Sequence, residues 1–303
     1  MGTPIIAVPI LKSLYQNGYP VSVVYTQPPK KSQRGQKINK SPIQGISETL
    51  KIEYRTPSSL KNNREEYNYL RDLNADIAIV VAYGQIIPKE YLSLVKKGFI
   101  NIHASLLPRW RGAAPIQRSI MNLEKETGFS IMRITEKLDT GPICNSYKID
   151  IMIDDNSETI AEKISALAAE KILDNIDDIL DNKIEFKEQN HNKATYAAKV
   201  EKIEAQIDWS KAAENIIGKI NGLYPSPGAF FICNGERYKI LKASLANGIG
   251  KIGEVLDNYL EISCGNKRSI KILEIQRQGK RPQNISEFML GSQIKKGSNL
   301  NNA

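Results

Sequence analysis

The chain has 303 residues, enough at about 150 residues per domain for two domains that each bury a core. Apolar residues make up 41% and charged residues 25%, ordinary globular usage that excludes wholesale disorder, and no apolar run approaches the roughly 18–20 residues of a membrane span. The net charge of +9 is uneven, +2 over residues 1–185 and +7 over residues 186–303, which points either to an anionic partner such as nucleic acid or to a solvated Lys-rich surface.

In chain order, Ile5 to Gln16 carries an apolar stripe (Ile6, Ile10, Leu14) at helical spacing, with Pro9 in the first turn. Val21 to Tyr25 reads as a strand. Lys30, Lys31, Arg34, Lys37 and Lys40 then form a basic cluster, and no acidic residue precedes Glu48. Pro28-Pro29, Gly35 and Ser41-Pro42 are expected to break any regular element here, leaving an exposed basic loop suited to phosphate or simply solvated. Asn63 to Leu73 reads as a helix. Ile77 to Val81 reads as a strand buried on both faces. A helix is predicted over Pro88–Val95, a strand over Phe99–His103 and a helix over Ala114–Met121. Phe129–Ile134 and Ile143–Ile149 are further strands. Ser157–Leu180 is a long helix with the stripe Ile160, Ile164, Leu167, Ile172, Ile176 and Ile179. Strands alternating with helices imply a mostly parallel sheet. No dinucleotide or P-loop glycine pattern follows the early strands.

Beyond a polar stretch, Glu185–Lys193, the pattern changes. One helix is predicted over Ala212–Asn221. Ala229–Cys233 and Tyr238–Ala243 flank Asn234-Gly235, the pair that suits a type I′ hairpin turn. Gly253–Leu256, Tyr259–Ser263 and Ser269–Gln276 complete a set of short strands, the size of a small OB-like barrel. The three cysteines, Cys144, Cys233 and Cys264, are widely spaced, which speaks against disulfides or zinc and for a reducing cytoplasm. Met1-Gly2-Thr3-Pro4 does not read as a secretory signal.

Chemistry concentrates at Ile100-Asn101-Ile102-His103. Alternation places Asn101 and His103 on one face at a strand's C-terminal end. Asp139 follows in the turn Leu138-Asp139-Thr140-Gly141-Pro142. An amide that stabilises an oxyanion, an imidazole that moves a proton and a carboxylate that orients and supports the imidazole make a working set. The same residues also suit a strand end and an ordinary Asp turn. His191, in the polar stretch, reads as solvated, and two histidines so differently placed speak against a metal centre.

The run Asn101-Ile102-His103-Ala104-Ser105-Leu106-Leu107-Pro108-Arg109-Trp110-Arg111-Gly112-Ala113-Ala114-Pro115-Ile116-Gln117 resembles the signature of the methionyl-tRNA formyltransferase family. The likeness extends through Gly2-Thr3-Pro4, Val80-Val81-Ala82-Tyr83-Gly84, Leu138-Asp139-Thr140-Gly141, Ile207-Asp208-Trp209 and Gly279-Lys280-Arg281, in order along nearly the whole chain. Ser105-Leu106-Leu107-Pro108 alone is shared with other formyltetrahydrofolate-using enzymes; the Trp110–Gln117 extension is more specific. The resemblance implies formyl transfer from 10-formyltetrahydrofolate to the α-amino group of methionyl initiator tRNA, with no metal. It implies a Rossmann-like formyltransferase domain over 1–184, a linker over 185–203 and an OB-like tRNA-binding domain over 204–303. Asn101, His103 and Asp139 match the catalytic trio. Ala82, Tyr83, Gly84 and Gln85, with Ser105, Leu106, Leu107 and Pro108, match the folate-pocket lining. The basic loop (Lys30, Lys31, Arg34, Lys37, Lys40) corresponds to the loop that clamps the tRNA acceptor end, and Arg281 falls in the late basic motif. A cytoplasmic monomer is expected.

The family begins with a full apolar strand before Gly-Thr-Pro, whereas this chain begins almost at that turn. The expectation is a natural start upstream of Met1. In the chain as given, Val21–Val24 or Ile77–Val81 should lack a pairing neighbour and the core should open. The competing functions are formyl transfer to another amine, formyltetrahydrofolate hydrolysis, and non-catalytic RNA binding by a degenerate homologue.

Overall fold

The computed structural model describes residues 1–32 and 37–300. The chain divides into two compact units. The first comprises Met1–Gly112, Thr127–Ile149 and Ala161–Tyr196; the second comprises Ala113–Glu126, Asp150–Ile160 and the chain from Ala197 onward.

In the first unit a single 3-10 turn, Ile5–Ala7, leads into α1 (Val8–Gln16), and Pro9 occupies the first turn, where its missing N–H costs no helical bond. β1 (Val24–Tyr25) is followed by β2 (Lys30–Ser32), β3 (Lys37–Asn39) and α2 (Pro42–Thr49), which Ser41 caps through its hydroxyl. β4 (Tyr54–Arg55) pairs in parallel with β1. α3 (Arg64–Leu73) starts at Asn63, whose side chain accepts the Glu66 N–H, and ends at Asn74 in the left-handed region. β5 (Ala78–Val80) runs parallel to β6 (Phe99–His103), with Val80 opposite Asn101. β7 (Arg111–Gly112) follows, and then α4 (Pro115–Met121), which belongs to the second unit. β8 (Glu126–Arg133) lies antiparallel on the other side of β6, with Ser130 opposite His103, and β9 (Ile143–Asp150) borders β8. Strand order is β5-β6-β8-β9, so β6 is interior and the antiparallel strands form one side. α5 (Ser157–Leu180) matches its predicted span, with Ile160, Ile164, Ile172, Ile176 and Ile179 buried. Ser165 donates to the Ile6 carbonyl and Ser13 to that of Ala169, tying α5 to the N-terminal helix.

Two expectations fail here. β2 and β3 form an antiparallel hairpin pairing Lys30 with Asn39 and Ser32 with Lys37. Pro28-Pro29 and Ser41-Pro42 lie outside the paired residues and bound the hairpin instead of breaking it. Ladder bonds satisfy backbone groups that an irregular loop would leave to water. Pro88–Val95 forms only a 3-10 turn, Lys89–Tyr91. The Lys96 and Lys97 N–H groups donate to the Ala75 and Asp76 carbonyls, so tertiary acceptors replace those that would continue a helix.

Met1 and Gly2 stand between β1 and β5. The Gly2 N–H donates to the Tyr25 carbonyl (2.9 Å), the Met1 amine to the Ile79 carbonyl (2.6 Å), and the Val81 N–H to the Met1 carbonyl (2.9 Å). Both strands therefore have a neighbour at these residues, contrary to the expected loss. A cavity of about 370 Å³ lies beside these residues, lined among others by Leu11, Val21, Val23, Leu70, Ile77 and Ile79. It leaves Ala78 and Ile79 half-buried, not enclosed on both faces. Burial draws the Met1 ammonium pKa down to about 5.

β10 (Tyr196–Ala197) falls at the boundary between the units, and in the second unit α6 (Ala213–Leu223) precedes β11 (Phe230–Cys233) and β12 (Glu236–Ala246). Asn234 and Gly235 sit at φ +52° and +74°, the type I′ turn expected from the sequence. β13 (Glu261–Ser263), β14 (Ser269–Arg277) and β15 (Gln283–Asn284) complete an antiparallel sheet of order β11-β12-β14-β13, with β15 on β14, and α7 (Ile285–Met289) follows. A register shift at Ile240–Ala243 bends β12. The sheet is an OB-like half-barrel; its ladder is not closed among the described residues. Gly253–Leu256 contributes only isolated bridges. Trp209, Phe231, Tyr238, Ile262, Ile272 and Phe288 fill the core.

Candidate active site

β6 lies inside the sheet, and its C-terminal end carries Asn101 and His103. The Asn101 side chain is half-buried and makes no hydrogen bond to another described residue. His103 is buried, with Nε2 3.0 Å from the Trp110 carbonyl. A carbonyl only accepts, so Nε2 carries the proton and the neutral ring keeps its lone pair on Nδ1. Nδ1 stands 3.7 Å from Asp139 Oδ2, too far for a hydrogen bond but within ion-pair range. The Asp139 carboxylate is held by the Gly112 N–H at 2.9 Å. The sequence assigns Asp139 both orientation and charge support. The structure gives the orientation to the Trp110 carbonyl and leaves Asp139 facing Nδ1, the ring nitrogen that bears the lone pair.

The loop after β6 is clamped to β8. Ser130 is fully buried; its hydroxyl donates to the Ser105 carbonyl (2.9 Å) and accepts the Leu107 N–H (3.0 Å). The Ser105 hydroxyl closes the loop on the Arg109 carbonyl (2.7 Å). His191, read as solvated, has an exposed ring, but its Nδ1 accepts from Arg111 Nη2 at 2.9 Å. A buried arginine cannot leave its donors unpaired, and this nitrogen is within reach. Gln189, two residues earlier, is buried under the Asp139 turn. Neither Gln189 nor Ser130 carries a motif or periodic signal. Among the described residues no group of three or more His, Cys, Asp or Glu side chains is placed to hold a metal ion.

Residues 1–176 match the formyl transferase family model, and residues 199–293 match that of the formyl transferase C-terminal domain. The chain is 69% identical over 302 residues to the methionyl-tRNA formyltransferase of Pelagibacter ubique (strain HTCC1062), covering 100% of this chain and 97% of that one. It belongs to the methionyl-tRNA formyltransferase family. The family enzyme of Jannaschia sp. (strain CCS1) is 42% identical over 300 residues, covering 99% of this chain and 98% of that one. The fold is similar to that of an N-formyltransferase from Helicobacter canadensis in complex with folinic acid and dTDP-3-aminofucose (TM-score 0.69, 22% identity, 91% of this chain and 97% of that one).

The β5–β6 register pairs Val80 with Asn101, and Ala82 follows two residues beyond that last pair, at φ +46°. Ala82 and Gly84 are exposed, whereas the Tyr83 ring is buried in the core with Tyr91 and Leu60. The Tyr83 carbonyl accepts from Thr3 Oγ1 (2.8 Å) and Gln27 Nε2 (3.1 Å), and Gln85 donates to the Pro57 carbonyl (2.7 Å). Leu107 is buried; Leu106 and Pro108 are half-buried. Lys40 is not a free cation, because Glu48 pairs with it at 2.8 Å. The backbones of Lys30, Lys31 and Lys37 lie in β2 and β3, and Arg34 lies outside the described residues. Arg281 is exposed just before β15 in the second unit.

Proposed function

We propose that this protein transfers the formyl group of 10-formyltetrahydrofolate to the α-amino group of methionyl initiator tRNA. The observation that carries the reading is the strand-end set: an Asn101 carboxamide without a partner among the described residues, His103 with its lone pair on Nδ1, and Asp139 Oδ2 3.7 Å from that nitrogen.

The substrate amine, with an ordinary pKa of about 7.7–8, is its own nucleophile once deprotonated. Its lone pair attacks the formyl carbon, and the carbonyl electron pair moves onto oxygen. Asn101 Nδ2–H donates to that oxygen as charge gathers, a contribution of about 10²–10³ in rate. His103 Nδ1 takes the proton the amine nitrogen sheds, and Asp139 stabilises the imidazolium across the gap. The bond from the formyl carbon to the folate N10 then breaks, the carbonyl reforms, and the imidazolium returns the proton to N10. No enzyme nucleophile is required, and holding both substrates supplies much of the remaining acceleration.

Ala82 and Gly84, with the Ser105–Pro108 loop, line the folate site, and Tyr83 and Gln85 support it by anchoring the segment. Lys30, Lys31, Arg34, Lys37 and Arg281 meet tRNA phosphates; Lys40 contributes less because Glu48 neutralises it. The deciding assay supplies 10-formyltetrahydrofolate and charged initiator tRNA to the purified chain. Formylated methionyl-tRNA supports the reading. Formate release that is independent of tRNA identifies a hydrolase, and tRNA binding without transfer identifies a non-catalytic homologue.

A further inference from the structure

We propose that Gln189 is a positioning residue, which locks the Asp139 turn so that its carboxylate stays opposite His103 Nδ1. The proposal rests on the assignment of His103 and Asp139 above. Gln189 is buried, and every hydrogen-bonding position of its carboxamide is used. Oε1 accepts from Arg111 Nε (3.0 Å) and Nη2 (2.6 Å); Nε2 donates to the Asp139 carbonyl (2.9 Å) and the Gly141 carbonyl (2.7 Å). The guanidinium can only donate, so the orientation of the amide is decided: oxygen toward Arg111, NH₂ toward the turn.

The turn needs such a hold. Asp139 sits at φ +50°, a region that a non-glycine residue enters at a cost. Gly141 packs so closely that a Cβ there would lie 1.9 Å from the Arg133 carbonyl oxygen. Arg111 and Gly112 grip Asp139 twice. Gly112 holds the carboxylate through its N–H, and Arg111 holds the main-chain carbonyl through Gln189. Losing the second grip frees the backbone that carries the carboxylate, while His103 stays fixed by the Trp110 carbonyl.

Gln189→Glu separates positioning from mere packing. It keeps the size and offers Arg111 a stronger acceptor, but it sets an oxygen where the turn's two carbonyls need donors. The expected result is a melting temperature within a few degrees of the parent, because the stronger Arg111 pair offsets much of the cost of the two carbonyls left without donors, with kcat lowered about 10–100-fold and KM for 10-formyltetrahydrofolate within about twofold. In an Asp139→Asn background the same change should cost less than about twofold, because the two residues act through one turn. Parental kcat in Gln189→Glu, with Asp139→Asn impaired, overturns the proposal alone. So do Gln189→Glu and Asp139→Asn losses that multiply in the double variant. Parental kcat in Asp139→Asn overturns the site assignment and the proposal with it.

Discussion

His103 shows how much a single hydrogen bond decides. Its bond to the Trp110 carbonyl places the proton on Nε2 and leaves the lone pair on Nδ1, facing Asp139, the arrangement that the proposed proton transfer uses. His103→Ala is therefore expected to lower single-turnover formyl transfer by about 10²–10⁴, with tRNA affinity within twofold in a filter-binding assay. A matching loss of tRNA affinity would assign the ring to binding. Asn101 offers a cleaner probe, because its carboxamide has no partner among the described residues to orphan. Asn101→Ala should lower kcat about 10²–10³ while the melting temperature stays within a degree or two. Unchanged kcat would remove it from oxyanion stabilisation.

Among the elements, the β1–β5 gap and the α4 ion pair carry the testable energetics. A chain lengthened before Met1 by five or six extended apolar residues should continue the Met1–Gly2 pairing into the cavity of about 370 Å³ and melt several degrees higher. Equal melting of the two chains would show that the cavity does not take a strand. Elsewhere, Arg118 on α4 pairs with Glu204 at 2.7 Å, and the Arg118 guanidinium together with the Glu201 N–H holds the Glu204 carboxyl down at about 2. A depressed folded-state pKa means the stabilisation is present above the ordinary carboxyl value of 4.5 and is lost as pH falls toward about 2. After screening at this partly exposed site, Glu204→Gln should cost about 1–2 kcal/mol at pH 7, and the difference from the parent should shrink between about pH 4.5 and pH 2. Urea titrations across that range measure it; a constant difference would assign the loss to packing.

For the whole molecule, the charge of +9 becomes specific only where cations are left uncompensated. Lys40 is spent on Glu48, whereas Arg281 is exposed. If Arg281 meets a phosphate, Arg281→Ala should reduce the slope of log affinity for tRNA against log salt by about 0.7–0.9, and Lys40→Ala should change it less. Equal slopes for parent and Arg281→Ala would exclude that contact.

Features that depend on short, regular spacing are legible in the amino-acid order. The α5 span follows from its isoleucine stripe, the β11–β12 hairpin from Asn234-Gly235, and the shared face of Asn101 and His103 from alternation along β6. The family signature between Asn101 and Gln117 made the chemistry legible because its residues are consecutive. Tertiary structure alone decided which groups meet across long gaps: Gln189 beneath Asp139, Ser130 against the Ser105 loop, Met1 against Ile79, and Lys96 and Lys97 on Ala75 and Asp76. The physical reason is that buried donors and acceptors take whatever partner the packed chain brings within about 3 Å, and that choice leaves no period in the sequence.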